Sequence, residues 1–400
     1  MNDATSICEP LEPAQRFELA VDEPPEARPG LRSQLKGAIR GMSWAVASVS
    51  DWVFGAAALV IGLAILSAIP IAQFLSFGYL LEAGGRVART GKLRSGLVGV
   101  RKASRVGSMV IGARLFLIPL EVISSLANSA QLVDPGGPAA RGWKAFLVVA
   151  TILVLIHILA ACARGGRIRY FLMPFGNPVW MIRSVRQGGV YASMRDAVWN
   201  FTASLRLPYY FRLGFLGFVG TMIWLALPVT LIAAGRDNTL VGLIGALILG
   251  LAVMPLPYLQ ARFAVENRFQ AIFALKAVRR RFKSAPWAFA FSLVITLVAS
   301  VPLYLLKIEM IPRETIWLPS LVFLIFMLPA RVLTGWAYGR AIRREAPRHG
   351  FFRWTGRLVI IPVAVAYVAI VFLSQFTAWR GVWSLYEQHA FLLPVPFLAM

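Results

Sequence analysis

Few residues in this chain have the type and spacing to do chemistry, and most of them sit inside or beside long apolar runs. Arg114 and Glu121 are seven apart, two turns along one helical face, within an apolar run over 106–127. Turned inward, such a pair would mark a solute pathway, because ionisable groups at membrane depth are costly and are kept for pairing or function. Arg114 lies near one end of the run, within reach of its boundary, while Glu121 lies beyond Pro119. Pro255-Leu256-Pro257 closes the run 239–261 and leads into Tyr258, Arg262, Glu266, Asn267 and Arg268. Arg262 and Glu266 have the i, i+4 spacing of a helix-surface pair. This dense polar cluster is either a vestibule for a charged solute or a pin that sets the angle of a surface helix; the second reading is preferred. Arg331 follows Pro329, which frees a backbone carbonyl for a guanidinium to bond. The candidate polar cluster is therefore Arg114, Glu121, Tyr258, Arg262, Glu266 and Arg331. His157 stands alone in an apolar run and reads as a packed side chain.

Known catalytic patterns do not occur. There is no HExxH and no GxSxG, and Gly91-Lys92 lacks the upstream glycine and following Ser/Thr of a phosphate-binding loop. Cys8 and Cys162 cannot make a disulfide framework, and no Cys/His spacing suggests zinc. No catalytic, cofactor-binding or metal-binding residue is expected, and no cofactor. Asn200-Phe201-Thr202 has the form of a glycosylation sequon but falls on a segment expected to be cytoplasmic.

The elements that must position these residues are long and apolar. Hydrophobic residues make up 58% of the chain and charged residues 15%, against about 25% in a soluble domain. Apolar stretches run over 52–82, 106–127, 144–163, 208–234, 239–261, 287–306, 317–339 and 358–378, each long enough for a bilayer core of roughly 30 Å. This predicts an all-α, polytopic transmembrane helical bundle of about 7–8 spans over 51–379, with interfacial amphipathic helices and a short tail over 380–400. The formal charge of +23 falls on alternate connections. Segments 83–105, 164–207, 262–286 and 340–357 carry seven, seven, seven and six Lys or Arg, while 128–144, 235–238 and 307–316 carry two, one and two. The positive-inside rule puts the first group in the cytoplasm of a bacterial cell. Anionic phospholipid headgroups are then the natural countercharge, and with no recognition module present nucleic acid is not expected.

One stretch conflicts with this alternation. Residues 52–82 separate two basic segments that both belong inside, and a single helix of that length would be about 46 Å long. Either the chain turns back near Pro70 as a hairpin, or a span near 52–70 is followed by an interfacial helix at 71–83. The second is preferred, since a lipid-exposed turn at depth would leave backbone groups unpaired. Upstream, residues 1–30 hold seven acidic residues and five prolines and read as a disordered tail. In 31–50, Leu31, Leu35, Ile39, Met42, Val46 and Val49 share a face beside Arg32, Lys36 and Arg40, the pattern of an interfacial helix. A second such face lies in 190–205. Arg279, Arg280, Arg281 and Lys283 complete the expected lipid-surface contacts.

Gly242, Ala246 and Gly250, and also Gly335 and Gly339, have the spacing of close helix contacts, read as packing within the monomer rather than a homodimer face. The stretch 261–268, then Ala274-Leu275-Lys276-Ala277 and Arg279-Arg280-Arg281-Phe282, together with Phe77-Gly78-Tyr79-Leu80-Leu81 before a basic stretch, resembles segments of bacterial polytopic inner-membrane proteins grouped in domain-of-unknown-function families. The resemblance covers about the middle two thirds of the chain. It implies a multi-pass inner-membrane protein and carries no catalytic residue with it. Three functions remain open. The leading one is a non-enzymatic protein that organises the membrane or binds membrane-protein partners through a basic cytoplasmic face. The others are a transporter, which needs Arg114, Glu121, Tyr258 and Arg331 in one cavity, and an interfacial lipid-modifying enzyme, which needs a carboxylate or histidine pair in a cytoplasmic-side cleft.

Overall fold

The computed structural model describes residues 31–173, 176–188, 190–236, 238–308, 317–344, 346–387 and 391; over 31–47 and at 185, 187, 190, 191, 193 and 197 the backbone alone is described. The acidic tail and Cys8 lie outside these residues. The chain divides into two units, Met1–Val49 and Ser50–Met400. In the first unit the described backbone is helical. Helix α1 covers Leu31–Ala68, so the amphipathic segment expected over 31–50 and the first span belong to one element.

The second unit is all helical among the described residues. After α1 come α2 (Gln73–Thr90), α3 (Val100–Val133), α4 (Pro138–Ala163) and the short α5 (Ile168–Leu172), α6 (Gly176–Gln187) and α7 (Val190–Ser204). Then follow α8 (Leu207–Ala234), α9 (Thr239–Val253), α10 (Leu256–Glu266), α11 (Leu275–Phe282), α12 (Pro286–Leu305), α13 (Trp317–Ile342), α14 (Gly350–Thr377) and α15 (Ser384–Glu387). Seven helices are long and apolar enough to cross a membrane, or eight if α9 and α10 count as one span bent by 42° at Met254–Pro255. The protein is an integral, multi-pass helical bundle.

The stretch 52–82 differs from the preferred expectation. The chain breaks at Pro70, where Ile71 takes φ 70°, a left-handed conformation that a β-branched residue rarely adopts. It then turns back: Ser76 Oγ donates to the Leu63 carbonyl at 2.8 Å across the turn. Helix α2 is enclosed by protein. It packs against α8, α10 and α13, and its residues 76–85 are all buried. Glycines make that enclosure possible. A Cβ on Gly78 would meet the Tyr210 carbonyl of α8, and one on Gly335 of α13 would meet the Gly84 carbonyl. Gly339 likewise lies on Ala88, so the Gly335/Gly339 pair is used inside the monomer, as expected. The small and polar residues of 76–85 are enclosed by protein.

The four basic connections are stitched together at one end of the unit. Lys102 Nζ donates to the Ser204 carbonyl at 2.7 Å, and Arg89 to that of Ala264 at 2.8 Å. Arg343 donates to the Ala88 carbonyl at 3.3 Å, and the Arg348 amide to that of Lys283 at 2.9 Å. The segment after α14 also folds back. Lys307 Nζ donates to the Ser384 carbonyl at 2.5 Å, and Phe391 is fully buried.

Candidate functional site

Two polar knots are built into the interior. In the first, Arg331 of α13 is 4% exposed and donates to Gln260 Oε1 of α10 and, at 3.1 Å, to the Phe391 carbonyl. Gln260 in turn donates to Thr221 Oγ1 of α8 at 2.6 Å and to the same Phe391 carbonyl at 3.1 Å. Arg331 therefore does not use the carbonyl freed by Pro329, as its sequence context suggested. Its partners are neutral, its Nε has none, and its guanidinium lies 5.8 Å from the Phe77 ring of α2. In the second knot, Glu82 of α2 is buried and pairs with Arg86 at 2.9 Å and Arg89 at 2.7 Å, while Tyr209 Oη of α8 donates to it at 2.8 Å. Both arginines keep more than a third of their side-chain surface in contact with the surroundings.

The six candidate residues do not share a cavity. Arg114 and Glu121 do pair, but outward: both side chains are nearly 60% exposed on α3, so an inward-facing pair is not formed. Tyr258 is buried, stacked on Phe289 at 4.0 Å, with Ser292 Oγ at 3.0 Å; it ties α10 to α12. Arg262 and Glu266 pair at 2.9 Å, as spaced. Their helix α10 follows the 42° bend at Met254–Pro255 and is mostly buried, with Arg262 and Glu266 near its more open C-terminal end. Arg331 alone of the six is both buried and charged with no ion partner among the described residues. His157 is packed as expected, its Nε2 at 3.1 Å from the Phe171 carbonyl and its ring 4.2 Å from Phe116.

The expected lipid contacts divide. Arg279, Arg280 and Lys283 are exposed at the basic end and Arg281 is half-buried. The side chains of Arg32, Lys36 and Arg40 lie outside the described residues.

The sequence reading passed over two features. Glu82, Arg86 and Arg89 have i, i+4, i+7 spacing, a legible face, but Glu82 closed an apolar run and was counted with it. The other is a cleft of about 520 Å³ at the basic end, lined by Arg340, Arg344, Arg348, Trp287, Trp336 and Phe352. Partial burial, and then the nearby cations Arg340 and Arg348, lower the pKa of Arg344. No group of three or more His, Cys, Asp or Glu placed to hold a metal occurs among the described residues. Comparison with family models, curated proteins and solved structures finds no match.

Proposed function

We propose that this protein is a non-enzymatic component of a bacterial cytoplasmic membrane. In this reading it rests its basic end on the anionic cytoplasmic leaflet and binds a membrane-protein partner, in the simplest case a second copy, through the α3–α4 hairpin. The observation that carries the partner is the Arg114–Glu121 pair. Only 11% of the 18-residue apolar window of α3, and of α4, is buried in the protein, against 56% for α12 and 50% for α13. Apolar exposure is what lipid requires. An ion pair in the middle third of a 34-residue helix is not, because a charge facing hydrocarbon is costly. A second helix laid over α3 would cover the pair and bring polar groups to it.

In the same reading α2 is a further crossing. Its 18 residues span about 27 Å, close to the hydrocarbon thickness. An α1–α2 hairpin places the N-terminal basic segment and the connection after Thr90 on one side, which removes the conflict in the charge pattern. The turn at Pro70 then lies at the far headgroup layer, where water can satisfy its backbone.

The partner is tested by a photo-crosslinking residue at Ile118, between the two charges, with Val365 on α14, which is more exposed still, as a control. A discrete adduct from 118 and none from 365 is expected, its mass separating a second copy from another protein. No adduct from 118, or equal labelling at both positions, would refute the partner face.

A further inference from the structure

The cleft at the basic end joins three cations to an apolar track. Trp336 and Arg340 stand about one turn apart on α13, and Arg344 follows just past its end to line the same cleft. Arg348 closes the cleft from the connection to α14. Two of the three guanidinium planes lie near aromatic rings, Arg340 at 5.4 Å from Trp336 and Arg348 at 5.8 Å from Phe352, which limits their freedom. None of the three forms an ion pair with a carboxylate among the described residues. Glu345 lies outside those residues. Three clustered cations without an anion repel one another, and a bound anion would relieve this. Guanidinium forks suit phosphate oxygens, which they bind in pairs.

The other wall sets what carries the phosphate. Trp287 at the start of α12 opens an exposed stripe that continues through Phe291, Val298 and Leu305. These positions fall on one helical face and run the length of α12, from the cleft to the opposite end. A free phosphate would use only the arginines. A chain-bearing phosphate would use both, with its head among the guanidinium groups, its glycerol beside Trp287 and an acyl chain along the stripe.

We propose that this cleft is a discrete binding site for one anionic glycerophospholipid. The inference rests on the reading that the basic end meets the headgroup layer, and it adds a specific site to a general electrostatic attraction.

The test uses the full chain purified in detergent, with phosphatidylglycerol, phosphatidylcholine and inorganic phosphate as probes. Binding is followed by native mass spectrometry and by the shift of the thermal midpoint. Phosphatidylglycerol should be retained and raise the midpoint, and the other two should not. Replacing Arg340, Arg344 and Arg348 together with Gln should weaken phosphatidylglycerol binding at least about tenfold, since each cation near an anionic headgroup contributes appreciably. Replacing Arg279, Arg280 and Arg281 with Gln should change it less than about threefold, because those residues lie outside the cleft. Should the first variant not fold, Trp287→Ala with Phe291→Ala, on the outer face of α12, is expected to lose the lipid by removing its track. Unchanged binding in the cleft variants, or equal loss in both arginine variants, would overturn the site and leave diffuse surface attraction. Inorganic phosphate binding as well as the lipid would overturn the lipid assignment, as would displacement of the lipid by an acidic peptide. Cysteine labelling tests the orientation separately. A cleft that holds lipid while Arg94→Cys is labelled from outside would refute the orientation alone.

Discussion

Arg331 has been taken out of water and given only neutral acceptors, Gln260 and the Phe391 carbonyl. A buried charge tolerates loss of itself better than loss of its partners. Gln260→Leu should therefore cost about 2–3 kcal/mol, because it strips an acceptor from a buried guanidinium. Arg331→Met should cost less, since it removes the desolvated charge together with its demands. Thermal unfolding of the two single variants and the double variant in detergent gives the coupling; a larger loss for Arg331→Met would contradict this ordering. Glu82 is the converse case, a buried carboxylate with two partly exposed arginines and a phenol. Glu82→Gln is expected to lower stability by about 1–2 kcal/mol, discounted because solvent reaches the arginines. Tyr209→Phe should lower it by about 1 kcal/mol. Arg331 was recognisable in the sequence because it interrupts an apolar run. Its partners were not, since Gln260 lies 71 residues away and Phe391 contributes only a carbonyl, which every residue has.

Helices whose surroundings are lipid declare themselves, because their composition answers to solvent alone. The sequence therefore located α8, α12 and α13 to within about three residues, while α3, α4 and α14 run about six to eight residues beyond one or both ends of their apolar stretches. The length and flanking charges of 52–82 held no sign that α2 answers to protein through its buried Ser76, Gly78, Glu82, Gly84 and Gly85. What they supply is close approach on three sides, and the helices they approach are remote in sequence. Replacing Gly78 by Ala is expected to abolish the folded, monodisperse protein, because the added carbon meets the backbone of α8 with no side chain able to yield. Gly62→Ala is the matched control. Nothing lies within 4 Å of its Cβ, and the change should leave stability unchanged or raise it by about 0.5–1 kcal/mol. Size-exclusion profiles of the two variants decide the point. The bend at Met254–Pro255 was legible only in part for a related reason: a proline pair marks a break in a helix but does not say whether the chain continues across the membrane after it.

The charge pattern is a property of the whole molecule, and it was legible because it needs no knowledge of packing. Each basic connection touches another at one end of the bundle through backbone carbonyls, so that end carries most of the molecule's excess cations. If it faces the cytoplasm, cysteines at Arg94 and Arg280 should react only after the membrane is permeabilised, whereas cysteines at Ile71 and Pro135 should react in intact cells. A protease site placed ahead of Leu31 should be protected in intact cells if α1 and α2 form a hairpin, and cut from outside if α2 lies on the surface.

The enclosure of α2 also sets a timetable for biosynthesis. Ala88 accepts a hydrogen bond from Arg343, which is 255 residues later, and Glu82 is met by Tyr209 after 127. At about 5–20 residues per second, the second helix leaves the ribosome tens of seconds before α13 exists. For that interval its carboxylate and bare glycine faces have no helices around them, and its composition does not favour hydrocarbon. The nascent chain must keep α2 at the insertion machinery or in the headgroup layer and draw it inward only when the later helices arrive. Maturation of this protein is therefore expected to be slow and late, with protease resistance of the 69–72 turn appearing after synthesis of α13 rather than with insertion of α1.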